Sequence, residues 1–153
     1  MIDGVLLLPL RRHDDARGWF MEFRRESRLP SPSLQTNVSF SRRGVIRGLH
    51  YHERQDDLFA AITGAARVVV LDRASGETMS VDIGDENPVT VYIPGRHPHG
   101  FEALTDVLFI EHVTQEYDAA TPDEHGIPWD DPRVKHLWST TSPILSPRDT
   151  HAS

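Results

Sequence analysis

An all-β fold, a sandwich or barrel of short strands, is what this sequence predicts, and three features carry the expectation. Long helical periodicity is almost absent. Short β-branched and aromatic runs bounded by turn residues recur along the chain instead. Runs such as Arg67-Val68-Val69-Val70-Leu71 are apolar on both faces after the first residue, so they need cover on both sides, from a second sheet or a partner subunit.

Taken in order, the expected strands are Val5–Leu8, Trp19–Phe23, Thr36–Phe40, Ile46–His52, Leu58–Ile62, Arg67–Asp72, Thr78–Ile83, Val89–Ile93 and Val107–Val113. Ala74-Ser75-Gly76-Glu77 and Gly84-Asp85-Glu86-Asn87-Pro88 read as the turns between neighbours. From Thr121 onward the chain is rich in Pro, Asp and Trp. It is expected to pack on the barrel through Trp129 and the Asp130-Asp131-Pro132 stretch. The 153 residues show no internal repeat and no shift in composition, so a single domain over 1–153 is expected.

Composition removes several classes of function. Acidic residues outnumber basic ones, 23 to 16, for a net charge of -7. That balance argues against a nucleic-acid partner and against adhesion to anionic lipid. There are no cysteines, so disulfides, thiolate ligands and cysteine nucleophiles are excluded. Gly4–Leu10 is too short to span a membrane, and Arg11-Arg12 follow it where a signal peptide would carry small residues. A cytoplasmic protein is expected.

Nine histidines are the oddity, and four of them cluster as His50, His52 and His97, His99. On a strand, His50 and His52 project to one face, with Tyr51 on the other. The segment from Gly44 runs five residues to His50-x-His52, four more to Asp57, and six more to Gly64. Further on, IPGRHPHGF places His99 just beyond a turn. This pair of segments resembles the two-part signature of the cupins, with Asp57 where that family usually has glutamate. The resemblance implies a double-stranded β-helix, or jelly-roll barrel.

A closer resemblance covers nearly the whole chain. DARGWFMEF, LQTNVSFSRRGVIRGLHYH, IPGRHPHGF, HGIPWDDP and PILSPRD are similar to stretches of the nucleotide-sugar 3,5-epimerases of the dTDP-4-dehydrorhamnose type. The resemblance implies His50 as general base and Asp149, from the LS-x-x-D ending, as the carboxylate that orients it. It implies Arg47, Gln35 and Asn37 as substrate contacts, and Ser146 and Arg148 near the nucleotide phosphates. It also implies a thymidine-nucleotide sugar as substrate, deoxysugar biosynthesis as the setting, and no required cofactor. A homodimer is implied as well, with strands from Val5 to Phe23 exchanged into the partner's sheet.

The chemistry calls for these residue types. A ketone at C4 acidifies the proton on the neighbouring carbon; a base removes it, an enolate forms, and reprotonation from the other face inverts the centre. Histidine titrates near neutrality and suits the base. A carboxylate on its second nitrogen fixes the tautomer and stabilises the imidazolium.

Three positions depart from the family pattern. Asp57 falls where the family has a lysine beside the enolate. Glu111 falls where it has a tyrosine acid, and a buried carboxylic acid can donate a proton. His52 replaces a glutamine. Together His50, His52, Asp57 and His99 recreate the ligand set of metal-binding cupins, which suits one divalent Zn, Fe, Mn or Ni and supplies a Lewis acid in place of the lysine. Metal ligand and free base are competing assignments for His50.

Plainer readings stand beside these. His52 can be a polar barrel-lining group, Asp57 part of a solvated loop, and Glu111 a buried carboxylate paired with an arginine. Arg47 can form an internal salt bridge, and His97 can be a turn residue. Two other functions stay open: a metal-dependent cupin catalysing isomerisation, cyclisation or oxygen chemistry on another small molecule, and a cupin that binds a sugar nucleotide without turning it over.

Overall fold

In a computed structural model, described over residues 1–152, two five-stranded antiparallel sheets face each other. The strands are β1 Leu6–Pro9, β2 Arg12–Asp15, β3 Gly18–Met21, β4 Gln35–Ser41, β5 Ile46–Tyr51, β6 Asp57–Thr63, β7 Ala65–Leu71, β8 Thr78–Gly84, β9 Val89–Ile93, β10 His99–Ala103, β11 Val107–Val113 and β12 His125–Gly126. The first sheet runs β1-β9-β6-β11-β4 and the second β12-β5-β10-β7-β8, with β2-β3 a separate hairpin. From β4 to β7 each successive strand changes sheet, so the chain winds the two layers together as the expected jelly roll does.

The alternating side chains of the inner faces meet in one core. Phe59, Val91 and Phe109 of the first sheet pack on Val68, Val70, Ile83 and Phe101 of the second. The Phe101 and Phe109 rings stack with centroids 3.8 Å apart, and Phe59 meets Phe109 edge-on at 5.1 Å. Burying each such ring stabilises the fold by about 1.5–3 kcal/mol.

The doubly apolar β7 has its reason here. Val68 and Val70 face the first sheet, whereas Val69 and Leu71 lie with Ile46 and Leu49 under Val134 and Trp138. Cover on the outer face therefore comes from the same chain's C-terminal segment. Trp138 donates its indole N–H to the Trp129 carbonyl at 2.8 Å, which ties that segment together.

The expected series lacks β2, β10 and β12. Leu6–Pro9 pair with Val89–Tyr92 within the one chain described, and the β2-β3 hairpin lies outside both sheets. Pro9 is tolerated because β1 is an edge strand. His99, expected just beyond a turn, opens strand β10, which is paired between β5 and β7. His97 is buried in its bend, with Nε2 on the Asp3 carbonyl at 2.9 Å. No helix among the described residues is long and apolar enough to cross a membrane.

Candidate active site

The space between the sheets opens at one end into a cavity of about 420 Å³. Two glycines set the spacing of β5 and β10 at its wall, which Gly100 lines. Gly48 has φ +134, and a Cβ there would lie 2.8 Å from Gly100 Cα. A Cβ on Gly100 would in turn lie 2.4 Å from the Arg47 carbonyl. Only glycines allow β5 and β10 to approach this closely, and the register then puts His50 directly opposite His99.

His50 Nε2 lies 2.6 Å from Asp149 Oδ1. Asp149 is buried in the short helix α1 (Pro147–Thr150), whose N-cap Ser146 accepts the Asp149 N–H through Oγ at 3.1 Å. Gly48 N–H donates to the second carboxylate oxygen at 3.3 Å. Burial pushes the Asp149 carboxyl up, but the bonds and charge from His50, with those from Gly48 and Ser146, outweigh it and hold the group below the ordinary carboxylate range. With Nε2 committed to the carboxylate, Nδ1 is the ring nitrogen left for a ligand.

Glu111 comes from β11, in the opposite sheet, and lines the same cavity. Asn37 Nδ2 donates to its carboxylate at 3.2 Å, and Gln35 Nε2 donates to Asn37 Oδ1 at 2.9 Å. Burial, followed by the charge of Asp57, raises the Glu111 carboxyl above its ordinary value. Its hydrogen-bond partner is an amide, so the arginine-paired reading is corrected.

Asp57 is buried and not part of a solvated loop. His99 Nε2 approaches its Oδ2 at 2.7 Å and His52 Nε2 approaches the same oxygen at 3.5 Å. Burial lowers the His52 imidazole, but its contacts to Asp57 and the Asp123 carbonyl outweigh this and push it up to about 9. The four-ligand metal set is not assembled. Among the described residues the converging donors are His52, Asp57 and His99, and His50 is turned onto Asp149 instead.

Arg47 lines the cavity, and its bonds go to Ser41 Oγ at 2.9 Å and the Phe40 carbonyl at 3.4 Å. Both partners are neutral, so the internal salt bridge is corrected and the guanidinium charge is left for a ligand. Arg148 also lines the cavity and pairs with Glu124 at 2.7 Å. Ser146 stands behind Asp149, outside the wall of the main cavity.

Sequence reasoning missed Gln55 and Asp123. Gln55 donates to Asp57 Oδ1 at 2.7 Å. The Asp123 carboxylate accepts the N–H groups of Glu53, Arg54 and Gln55, while its carbonyl holds His52 Nδ1. A loop centred on Asp123 thus shapes the turn that delivers Asp57 to β6. The one sequence signal was the acid's place after a proline.

Comparisons with known proteins bear on this geometry. The family model described as dTDP-4-dehydrorhamnose 3,5-epimerase matches residues 1–153. The spore coat polysaccharide biosynthesis protein SpsL of Bacillus subtilis is 40% identical over 148 residues, covering 92% of this chain and 98% of its own. Among solved structures, NovW, a 4-keto-6-deoxy sugar epimerase from the novobiocin cluster of Streptomyces spheroides, is similar with a TM-score of 0.88 and 31% identity, covering 99% of this chain and 82% of that one. The RmlC epimerase of Legionella pneumophila, solved with dTDP-4-keto-L-rhamnose, has a TM-score of 0.87 at 28% identity, covering 99% and 87%. With a family match over its whole length and relatives of the same fold, this chain belongs to the dTDP-4-dehydrorhamnose 3,5-epimerase family.

Proposed function

We propose that this chain epimerises a dTDP-linked 4-keto-6-deoxyhexose at a carbon next to the ketone, with His50 as base, Asp149 as its orienting carboxylate and Glu111 as acid. The observation that carries the reading is the 2.6 Å His50–Asp149 dyad on the wall of a cavity whose opposite sheet presents Glu111.

The proton balance follows from that placement. His50 Nδ1 takes the C–H proton while the N–H on Nε2 stays bonded to Asp149, which stabilises the imidazolium. Inversion needs a new proton on the opposite face, and Glu111, whose carboxyl burial raises above its ordinary value, supplies it. Both groups then exchange with solvent, so the inverted centre carries a solvent hydrogen. The Arg47 and Arg148 guanidiniums suit the diphosphate, with Gln35 and Asn37 as neutral donors and acceptors beside the sugar. On this reading the proton transfers require no cofactor.

A homodimer is part of the proposal. Trp19 and Phe20 on the β2-β3 hairpin, and Val38 and Phe40 on edge strand β4, expose apolar side chains that a second copy would cover.

The test is incubation with dTDP-4-keto-6-deoxyglucose and NMR of the sugar. An epimer at C3, at C5 or at both supports the reading. Binding of the nucleotide sugar without any new epimer supports the non-catalytic alternative and contradicts it.

A further inference from the structure

We propose that His52, Asp57 and His99 form a binding site for one divalent transition-metal ion, with Nε2 of each histidine and a carboxylate oxygen of Asp57 as ligands. The site stands apart from the epimerase reading; only its use in catalysis rests on that reading.

The three donor atoms lie within 4.8 Å of one another, and all three residues are buried. Their outer hydrogen bonds fix which atoms face inward. His52 Nδ1 meets the Asp123 carbonyl, and His99 Nδ1 meets the His97 carbonyl at 2.7 Å. A carbonyl can only accept, so both Nδ1 atoms carry the proton. In the neutral rings, Nε2 is therefore a lone pair. Without a metal, protons on the Nε2 atoms satisfy the Asp57 carboxylate; a divalent ion displaces them and takes both Nε2 lone pairs and a carboxylate oxygen as ligands. A backbone carbonyl behind each imidazole is also the partner that metal-bound histidines use to hold tautomer and orientation.

Distances suit an ion as well. Bonds of about 2.0–2.1 Å in tetrahedral geometry place ligand atoms roughly 3.3 Å apart. The His52–Asp57 separation is 3.5 Å, and the His99–Asp57 separation of 2.7 Å must widen by about 0.6 Å on binding an ion. Two imidazoles and one carboxylate favour Fe, Zn, Ni or Mn over Ca or Mg. Because the three residues line the main cavity, coordination positions stay open towards it. Gln55, bonded to the other Asp57 oxygen, keeps that carboxylate oriented. An ion there would act as a Lewis acid toward a carbonyl oxygen in the cavity.

The test uses protein made without a histidine tag or chelator. Elemental analysis is expected to find close to one metal per chain, or the protein takes up one equivalent of Co²⁺ with visible d–d bands that Zn²⁺ displaces. His52→Gln and the isosteric Asp57→Asn, each checked for a retained thermal transition, are expected to weaken Co²⁺ binding at least tenfold. His50→Ala is expected to keep it. No uptake of Co²⁺, Zn²⁺, Fe²⁺, Mn²⁺ or Ni²⁺ overturns the proposal, as does undiminished uptake in both folded variants or loss in His50→Ala. Metal absent with epimerisation intact removes the site and leaves the function; metal bound without epimerisation does the reverse.

Discussion

His50 Nε2 lies 2.6 Å from Asp149 Oδ1, although 99 positions separate the two residues. The carboxylate reaches the imidazole because the C-terminal segment crosses the outer face of the second sheet, anchored by Val134 and Trp138, and ends in a helix capped by Ser146. A cover that the apolar outer face of β5 and β7 requires for stability thus also delivers the partner of the candidate base.

Asp149→Asn keeps the shape of the side chain and removes its charge. Turnover is expected to fall by about 10²–10⁴, with KM little changed, because the imidazolium loses its counter-charge. Steady-state kinetics check this, with the thermal transition as a control for folding.

Glu111→Gln separates the two halves of the reaction. Deuterium from solvent is still expected to enter the carbon next to the ketone, because His50 takes and returns the proton on one face. Formation of the epimer falls by about 10²-fold or more. NMR in D₂O reads both quantities in one sample.

Dependence on pH follows from the two carboxylates, which are shifted in opposite directions. Asp149 is held below its ordinary value, so the stability that it contributes is present above the unfolded carboxylate pKa and is lost as pH falls through the folded one. Burial raises Glu111, so its acid form persists to higher pH, and turnover is expected to fall as pH rises through that raised value. In Glu111→Gln this alkaline decline should disappear from the profile of the residual activity. Acid unfolding of wild type against Asp149→Asn checks the other sign: the difference in stability shrinks as pH falls.

Arg47→Met removes a guanidinium whose hydrogen-bond partners among the described residues are Ser41 and the Phe40 carbonyl. A charge-assisted bond to phosphate contributes about 1.5–3 kcal/mol, so KM is expected to rise roughly 10–100-fold with less effect on turnover. The effect should shrink at high salt, which screens the wild-type contact.

Phe40→Glu places a charge on the exposed apolar face of β4. If a second copy covers that face, sedimentation velocity will show a dimer in the wild type and a shift to monomer in the variant, with the monomer's β-sheet signature retained.

Much of the barrel could be read directly from the sequence. β4, β5, β6, β8, β9 and β11 lie on β-branched or aromatic runs; β9 and β11 have the expected bounds, and the others differ by one residue at one or both ends. β10 was hidden because His99-Gly100-Phe101-Glu102 has no apolar alternation; Glu102 is buried, and its carboxylate is satisfied by Ser139. β2 was hidden because Arg12–Asp15 is wholly polar and is held only by its hairpin partner. At the site, motifs carried His50 and Asp149, and Glu111 became a candidate by falling where the resembled family has a tyrosine. The split between His50 and the other histidines was not legible, because it depends on which way a ring turns. Asp57 and Gln55 owe their positions to Asp123, in a loop some 66–68 residues away along the chain, which no local pattern reveals.

The most direct measurement of the central claim is solvent exchange by wild type and His50→Ala on dTDP-4-keto-6-deoxyglucose in D₂O. The account predicts deuterium at C3 or C5 with wild type and a rate at least 10²-fold lower in the folded variant. Equal exchange in the two proteins would show that His50 is not the base and would contradict it.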